Sequence, residues 1–280
     1  MTTVKMNQKK RVNTIGLLKY FGVFAILLFL FVPILWIVLT AFKTEGDSYN
    51  FTVFFKPVLE NFQYLFSQEF NIGKYYFNSV WVVFATLLIT IPVSILAAYA
   101  LSRFQMRGKQ VFMFAILATQ FIPLVVNLIP LFLIFRNLGM IDTTIALIIV
   151  NLGHTIPYAI WLIKGFIDRV PVDIEEAAAI DGANRFQIIT KILIPTALPG
   201  IITATVFCFV ITWNEFMFAL ILTQKEAVTL PIALSFFNGE KGVIWNQMAA
   251  AGIIFMLPTV IFMLLVRKQF VQGMTSGSVK

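Results

Sequence analysis

The chain of 280 residues carries 59% hydrophobic, 15% aromatic and 12% charged side chains, with a formal net charge of +8. A soluble domain has about 25% charged residues, and a mean hydropathy of +0.89 spreads the apolar excess along the chain. An ordinary soluble globule is excluded, and a membrane becomes the solvent. The single cysteine, Cys208, excludes an internal disulfide framework and sits in an apolar run, where it reads as a packing residue.

A spanning helix takes about 20 mostly apolar residues, since the hydrocarbon core is about 30 Å thick and each residue rises about 1.5 Å. Behind an N-terminal tail over 1–19, six stretches within 20–267 qualify, near 20–42, 78–101, 110–135, 143–163, 200–222 and 248–266, and a second tail follows over 268–280. The first exceeds the roughly 7 to 15 apolar residues of a signal peptide and reads as an anchored helix. Five cores hold no Asp, Glu, Lys or Arg; the fifth holds Glu215 near its outer end. The expected class is an all-α membrane protein of six transmembrane helices.

Lys and Arg beside the spans stay on the cytoplasmic side. With both termini inside, fifteen of the 21 Lys and Arg residues are cytoplasmic, among them Arg103, Lys109, Lys164, Arg185 and Arg267. The opposite orientation leaves six inside, so both termini are expected in the cytoplasm. The basic excess is thus a matter of topology, and nucleic acid is not needed to explain it.

Between the fourth and fifth helices lies the longest cytoplasmic loop, placed over 168–199. After Pro171, Asp173 with Glu176 forms a capping-box pattern, Ala177 and Ala178 favour helix, and Gly182 is the natural stop. Asn184 with Gln187 repeats the cap, and Phe186, Ile189 and Ile192 recur at helical spacing until Pro195 is expected to end the run. The bland reading of such a helix, turn, helix is an amphipathic pair on the membrane surface.

Catalytic signatures are missing. Gly108-Lys109 continues into Gln110 without the phosphate-cradling loop of an ATPase. The lone His154 builds no metal site, and Gly-x-Ser-x-Gly does not occur. The chain is not expected to be an enzyme or to hold a metal or cofactor.

The spacing Glu176-Ala177-Ala178, Gly182, Ile192-Leu193-Ile194-Pro195 resembles the Glu-Ala-Ala loop of ABC importer permeases. Ala98-Tyr99-Ala100-Leu101-Ser102-Arg103-Phe104, Trp213-Asn214-Glu215-Phe216 and the tail Gly273 to Lys280 resemble the carbohydrate branch, in particular its maltose-transporter-like second permease. Ile194 stands where that branch has Leu. The resemblance implies a subunit of a prokaryotic plasma-membrane importer. Its partners would be a second, different permease, two ATPase subunits holding ATP and Mg, and an extracytoplasmic binding protein that delivers a sugar. Glu176, Ala177, Ala178, Asp181, Gly182, Arg185, Ile192 and Pro195 would then couple to an ATPase, with the helix from Asp173 to Ile180 as a lever and the C-terminal tail as a further contact.

Amides, hydroxyls and aromatic faces bind sugars, so polar residues within the spans become candidates for the path. Thr86, Thr90 and Ser94 recur every four residues; Gln120, Pro123 and Asn127 share one face of the third helix, and Asn151, His154 and Tyr158 one of the fourth. Thr212, Asn214 and Glu215 close the fifth. The competing role for all of them is interhelical hydrogen bonding. By position, Phe236, Phe237, Asn238 and Gly239 of the outer loop would approach the binding protein. A permease for a sugar alcohol or glycerol phosphate, or a self-contained secondary transporter with its own ion site, are the alternatives.

Overall fold

The computed structural model describes residues 2–239 and 242–275, with side chains over 16–239 and 242–273. In chain order the helices are α1 (Thr2–Ala41), α2 (Glu45–Ser48), α3 (Glu60–Phe66), α4 (Ile72–Arg103), α5 (Lys109–Gln120), α6 (Leu124–Asn137) and α7 (Thr144–Ile167). Then come α8 (Val172–Ile180), α9 (Arg185–Ile188), a π-helical turn (Ile189–Leu193), α10 (Ile194–Trp213), α11 (Met217–Leu222) and α12 (Leu230–Ser235). A two-stranded ladder, β1 (Asn238–Gly239) with β2 (Gly242–Val243), precedes α13 (Trp245–Thr275).

The chain divides into two compact units, Met1–Phe70 with Phe237–Ile254, and Asn71–Phe236 with Phe255–Lys280. In the first, Asn61 donates from Nδ2 to the Ala41 carbonyl at 2.8 Å and to that of Lys43 at 2.9 Å, satisfying acceptors that α1 leaves at its end. Lys43 is fully buried. Its ammonium lies 4.2 Å from the Trp36 ring centroid and donates to the Asn50 carbonyl, so a cation–π contact and a carbonyl replace its water.

In the second unit α4, α7 and α10 pack on one another. Ile95, Ala98 and Tyr99 meet Ala159, Ile163 and Ile167 of α7, Leu193 of the π-helical turn, and Ala197, Ile201, Ala204 and Cys208 of α10. Small residues alternate with branched ones, which lets the backbones approach closely. Gly273 on α13 lies against α10, and a Cβ there would collide with the Thr203 Oγ1 and the Pro199 carbonyl.

Among the described residues, five helices are long and apolar enough to span a membrane. The continuous third span expected near 110–135 is instead a broken one, α5 and α6 meeting at 91°. Pro123 caps α6, where its missing N–H costs nothing, and it pushes the preceding Ile122 out of helical geometry. Gln120 and Asn127 therefore do not share a helix face. The fifth span also differs. It runs from Arg185 to Trp213 and breaks at Asn214, short of the expected end at 222. Pro195 does not stop the helix. The preceding turn widens, the Ile194 N–H reaching back to Ile189 O, and this π-helical register accommodates a proline that can neither donate nor tolerate a close carbonyl.

Candidate functional site

The segment joining α7 to α10 folds as the sequence pattern requires, with one shift. Helix α8 is capped by Pro171, one residue before Val172, so Asp173 lies inside the first turn and its expected capping box is absent. At the other end Gly182 takes φ +86°. The Gly182 N–H bonds Ala179 O at 3.1 Å and the Ala183 N–H bonds Ala178 O at 3.0 Å, the paired bonds of a Schellman turn. Asn184 and Gln187 then form the reciprocal capping box of α9, both bonds 2.9 Å long.

This hairpin presents apolar residues outward. Ile180 is 86% exposed and Phe186 73%, with Val172 and Ile174 also exposed. Glu176, Ala177, Asp181, Gly182 and Arg185 are exposed beside them, while Ala178 and Ile192 are half-buried. Pro195 is exposed on α10.

The acid the fold buries is Glu175. Arg103, the last residue of α4, places Nε and Nη2 each 2.7 Å from Glu175 Oε1, with both side chains nearly buried. The same Nη2 donates to Ile167 O at 3.2 Å and Val170 O at 3.0 Å, satisfying the last carbonyl of α7 and one in the turn that follows it. One residue on, Phe104 lies 4.9 Å beneath the Arg185 guanidinium. Sequence reasoning selected Glu176 and left Glu175 unassigned. The usable signal was the basic residue ending an otherwise uncharged span. Nearby, burial pushes the Asp168 carboxyl up, but the Lys164 ammonium at 2.6 Å outweighs it and holds the carboxyl below its ordinary value.

Within the bundle the polar stripe of α4 faces α7. Thr90 and Thr155 share a 2.8 Å hydroxyl bond, and Ser94 donates to Ile156 O. Asn151, Thr212 and Glu215 line a single small cavity with Ser79 and Thr229, about 10 Å³ in volume. That is room for about one water and not for a sugar ring. The Thr212 and Thr229 hydroxyls are buried there with no hydrogen-bond partner among the described residues. Glu215 accepts from the Phe218 and Ala219 N–H groups at 2.7 and 3.0 Å, capping α11. His154 stacks on Phe218 with ring centroids 5.6 Å apart, and its carbonyl accepts from Gln120 at 3.5 Å. Asn214 is exposed and bonds Val210 O, and Asn127 is half-buried on α6.

The segment after α11 is tightly held. Asp142, at φ +60°, accepts from the backbone N–H groups of Gln224, Lys225, Glu226 and Ala227 at 2.9–3.1 Å. Burial opposes the charge, but these four donors together hold the carboxyl below its ordinary value. Asn78 donates to the Glu226 and Val228 carbonyls, and Lys74 pairs with Glu226 at 2.7 Å. Further on, Phe236 is half-exposed against Tyr75, and Asn238 and Gly239 are exposed. Phe237 is instead buried, stacked on Phe70 at 4.8 Å, because its ring helps close the first unit's core.

Residues 90–276 match the family of binding-protein-dependent transport system inner membrane components. The chain belongs to this family. It is thus an ABC permease subunit, a multi-pass inner-membrane protein without an ATPase site of its own. Among its relatives, a probable ABC transporter permease protein, y4oR, of Sinorhizobium fredii is 38% identical over 89% of this chain and 90% of its own. The trehalose/maltose transport system permease protein MalG of Thermococcus litoralis is 32% identical over 89% and 91%. A solved bacterial ABC transporter that imports the acidic polysaccharide alginate superposes with a TM-score of 0.75 at 26% identity, covering 94% of this chain and 98% of that one.

Proposed function

We propose that this permease subunit moves a sugar or short oligosaccharide inward, driven by ATP hydrolysed in two partner subunits, and that the α8–α9 hairpin is where an ATPase docks. The observation that carries this reading is the hairpin itself. Helix α8 and the capped α9, joined by a Schellman turn, hold Ile180 and Phe186 open to solvent, and a partner that covers them supplies burial the chain does not. Glu176 and Asp181 flank them as charged contacts, Ala177 and Ala178 permit close approach, and Arg185, Ile192 and Pro195 set the outgoing helix.

Both termini are cytoplasmic in this reading, which the distribution of Lys and Arg supports. A second, different permease completes the pathway. An extracytoplasmic binding protein delivers the solute near Phe236, Asn238 and Gly239, and Gln120, Asn127, Asn151, His154, Thr212, Asn214 and Glu215 lie along the route. ATP and Mg belong to the ATPase subunits.

A saccharide cargo is supported by the trehalose/maltose relative and the alginate importer. A glycerol phosphate would favour Arg or Lys in the pathway, and the spanning cores of the sequence hold neither. A self-contained secondary transporter would need an ion site. Glu215, the one acid in the spans expected from the sequence, lies past the end of the fifth span and caps α11.

The test is to purify the chain with its co-purifying subunits, reconstitute them in vesicles and measure ATP-dependent uptake of disaccharides, short oligosaccharides, polyols and glycerol phosphate. Uptake confined to saccharides is expected. Uptake without ATP, or of glycerol phosphate alone, would overturn the reading.

A further inference from the structure

A docked ATPase can drive transport only if movement of the α8–α9 hairpin reaches the membrane helices. The chain connecting α7 to α8 is short, but a peptide link transmits direction poorly without side-chain contacts that fix its angle. The end of α4 supplies such contacts at two successive residues. Arg103 grips the first turn of α8 through Glu175 while holding the last carbonyl of α7, that of Ile167, and the Val170 carbonyl in the link between the two helices. Phe104 lies under Arg185, the first residue of α9, and is itself braced edge-on by Tyr99 of α4 at 6.1 Å. One helix end therefore holds both arms of the hairpin, on either side of the Gly182 turn.

We propose that Arg103 and Phe104 form a two-point clamp that converts displacement of the α8–α9 hairpin into displacement of α4 and, through packing, of α7 and α10. Both are positioning residues. The proposal rests on the ATPase-docking reading and adds where the force enters the bundle. The geometry favours a clamp over a passive prop. The Arg103 fork engages a carboxylate and two carbonyls from different elements, so α8 cannot tilt without moving α4 or breaking a nearly desolvated ion pair. Lysine offers a single point and cannot hold three acceptors in that plane.

The experiment uses the complete reconstituted assembly with R103Q, E175Q, the R103Q/E175Q double variant, R103K and F104A. Three quantities are read: ATPase co-purified per permease, ATP hydrolysed per solute imported, and uptake. The clamp predicts co-purification within about twofold of wild type and ATP consumed per solute raised at least about fivefold in R103Q and E175Q. It also predicts a double variant no worse than either single, as contacting partners behave, partial recovery in R103K, and a smaller rise in F104A. Unchanged ATP per solute in the single variants would overturn it. So would additive losses in the double variant, or loss of the ATPase from the complex in step with loss of uptake, since either makes the pair a structural support only. If R103Q fails to accumulate, E175Q, which keeps the side chain's shape, decides the matter alone. Failure of wild-type uptake to need ATP would remove the docking reading. Wild type coupled normally beside fully coupled variants would remove the clamp and leave docking intact.

Discussion

The α4–α7–α10 core and the α8–α9 hairpin treat polarity in opposite ways. In the core, hydroxyls are turned inward, and two of them find partners there, Thr90 in Thr155 and Ser94 in the Ile156 carbonyl, because lipid offers them nothing. In the hairpin, the end of α8 and the start of α9 are satisfied by the Schellman turn and the Asn184–Gln187 capping box, while Ile180 and Phe186 stand in the open. In the proposed reading, the first region packs on itself and the second is covered by a docked ATPase. The Thr90–Thr155 and Ser94–Ile156 bonds tie helices together, whereas under the proposed docking the exposed Ile180 and Phe186 of the second region meet the ATPase.

That contrast breaks first at the hairpin surface. Ile180→Asp with Phe186→Asp is expected to weaken ATPase association about thirtyfold, the loss of about 2 kcal/mol usual for an interface anchor. Thermal stability of the permease should stay unchanged; association assays and melting curves on the same preparations check both.

The turn comes next. A side chain at the φ of Gly182 costs about 1–2 kcal/mol, with Asn suffering least. Gly182→Val should therefore reduce uptake about five- to tenfold with insertion intact, and Gly182→Asn by much less. Equal activity for the two variants, measured in vesicles, would show that the turn's conformation is not what matters.

In the core the effects are smaller. Thr90→Val removes one buried hydrogen bond while Thr155 still donates to Asn151 O, so a loss of about 0.5–1.5 kcal/mol is expected. Uptake should be nearly normal. A large drop in transport without a drop in melting temperature would move Thr90 from helix contact to solute path.

The smallest effect concerns the Asp142 clasp. Its carboxyl titrates lower in the folded protein, so the clasp adds stability that is fully present above the ordinary value of 3.8 and is lost as pH falls through the lowered one. Amide exchange of Gln224 to Ala227 should be flat from neutral pH down to about 4 once corrected for intrinsic rates, and protection should fall only below that. Asp142→Asn should expose the same amides at neutral pH.

Much of this was legible in sequence because each signal was local. Uncharged runs marked the spans, Gly182 marked the turn, and Asn184 with Gln187 marked the start of α9. Two prolines misled in opposite directions. Pro123 lay inside an apolar run and hid a 91° break, while Pro195 suggested a stop that a π-helical turn removes. Whether proline ends a helix depends on whether neighbouring turns can widen, which composition does not encode. Glu175 and Glu176 are adjacent, and which of them is buried depends on Arg103, more than seventy positions away. Gln120 and Asn127 failed as a shared face for the same reason as the break. Asn151, read on the fourth helix, and Thr212 and Glu215, read on the fifth, do meet at one cavity. The tail expected to reach an ATPase lies, over 276–280, outside the described residues.

Site-directed crosslinking tests the docking claim most directly. Cys208, the chain's one cysteine, is fully buried, so a cysteine introduced at Ile180 is the reactive thiol. In intact membranes, Ile180→Cys should crosslink to the ATPase subunit, and Phe121→Cys, equally exposed at the α5–α6 break, should not. An Ile180→Cys variant that imports solute normally yet never crosslinks to an ATPase would contradict the account.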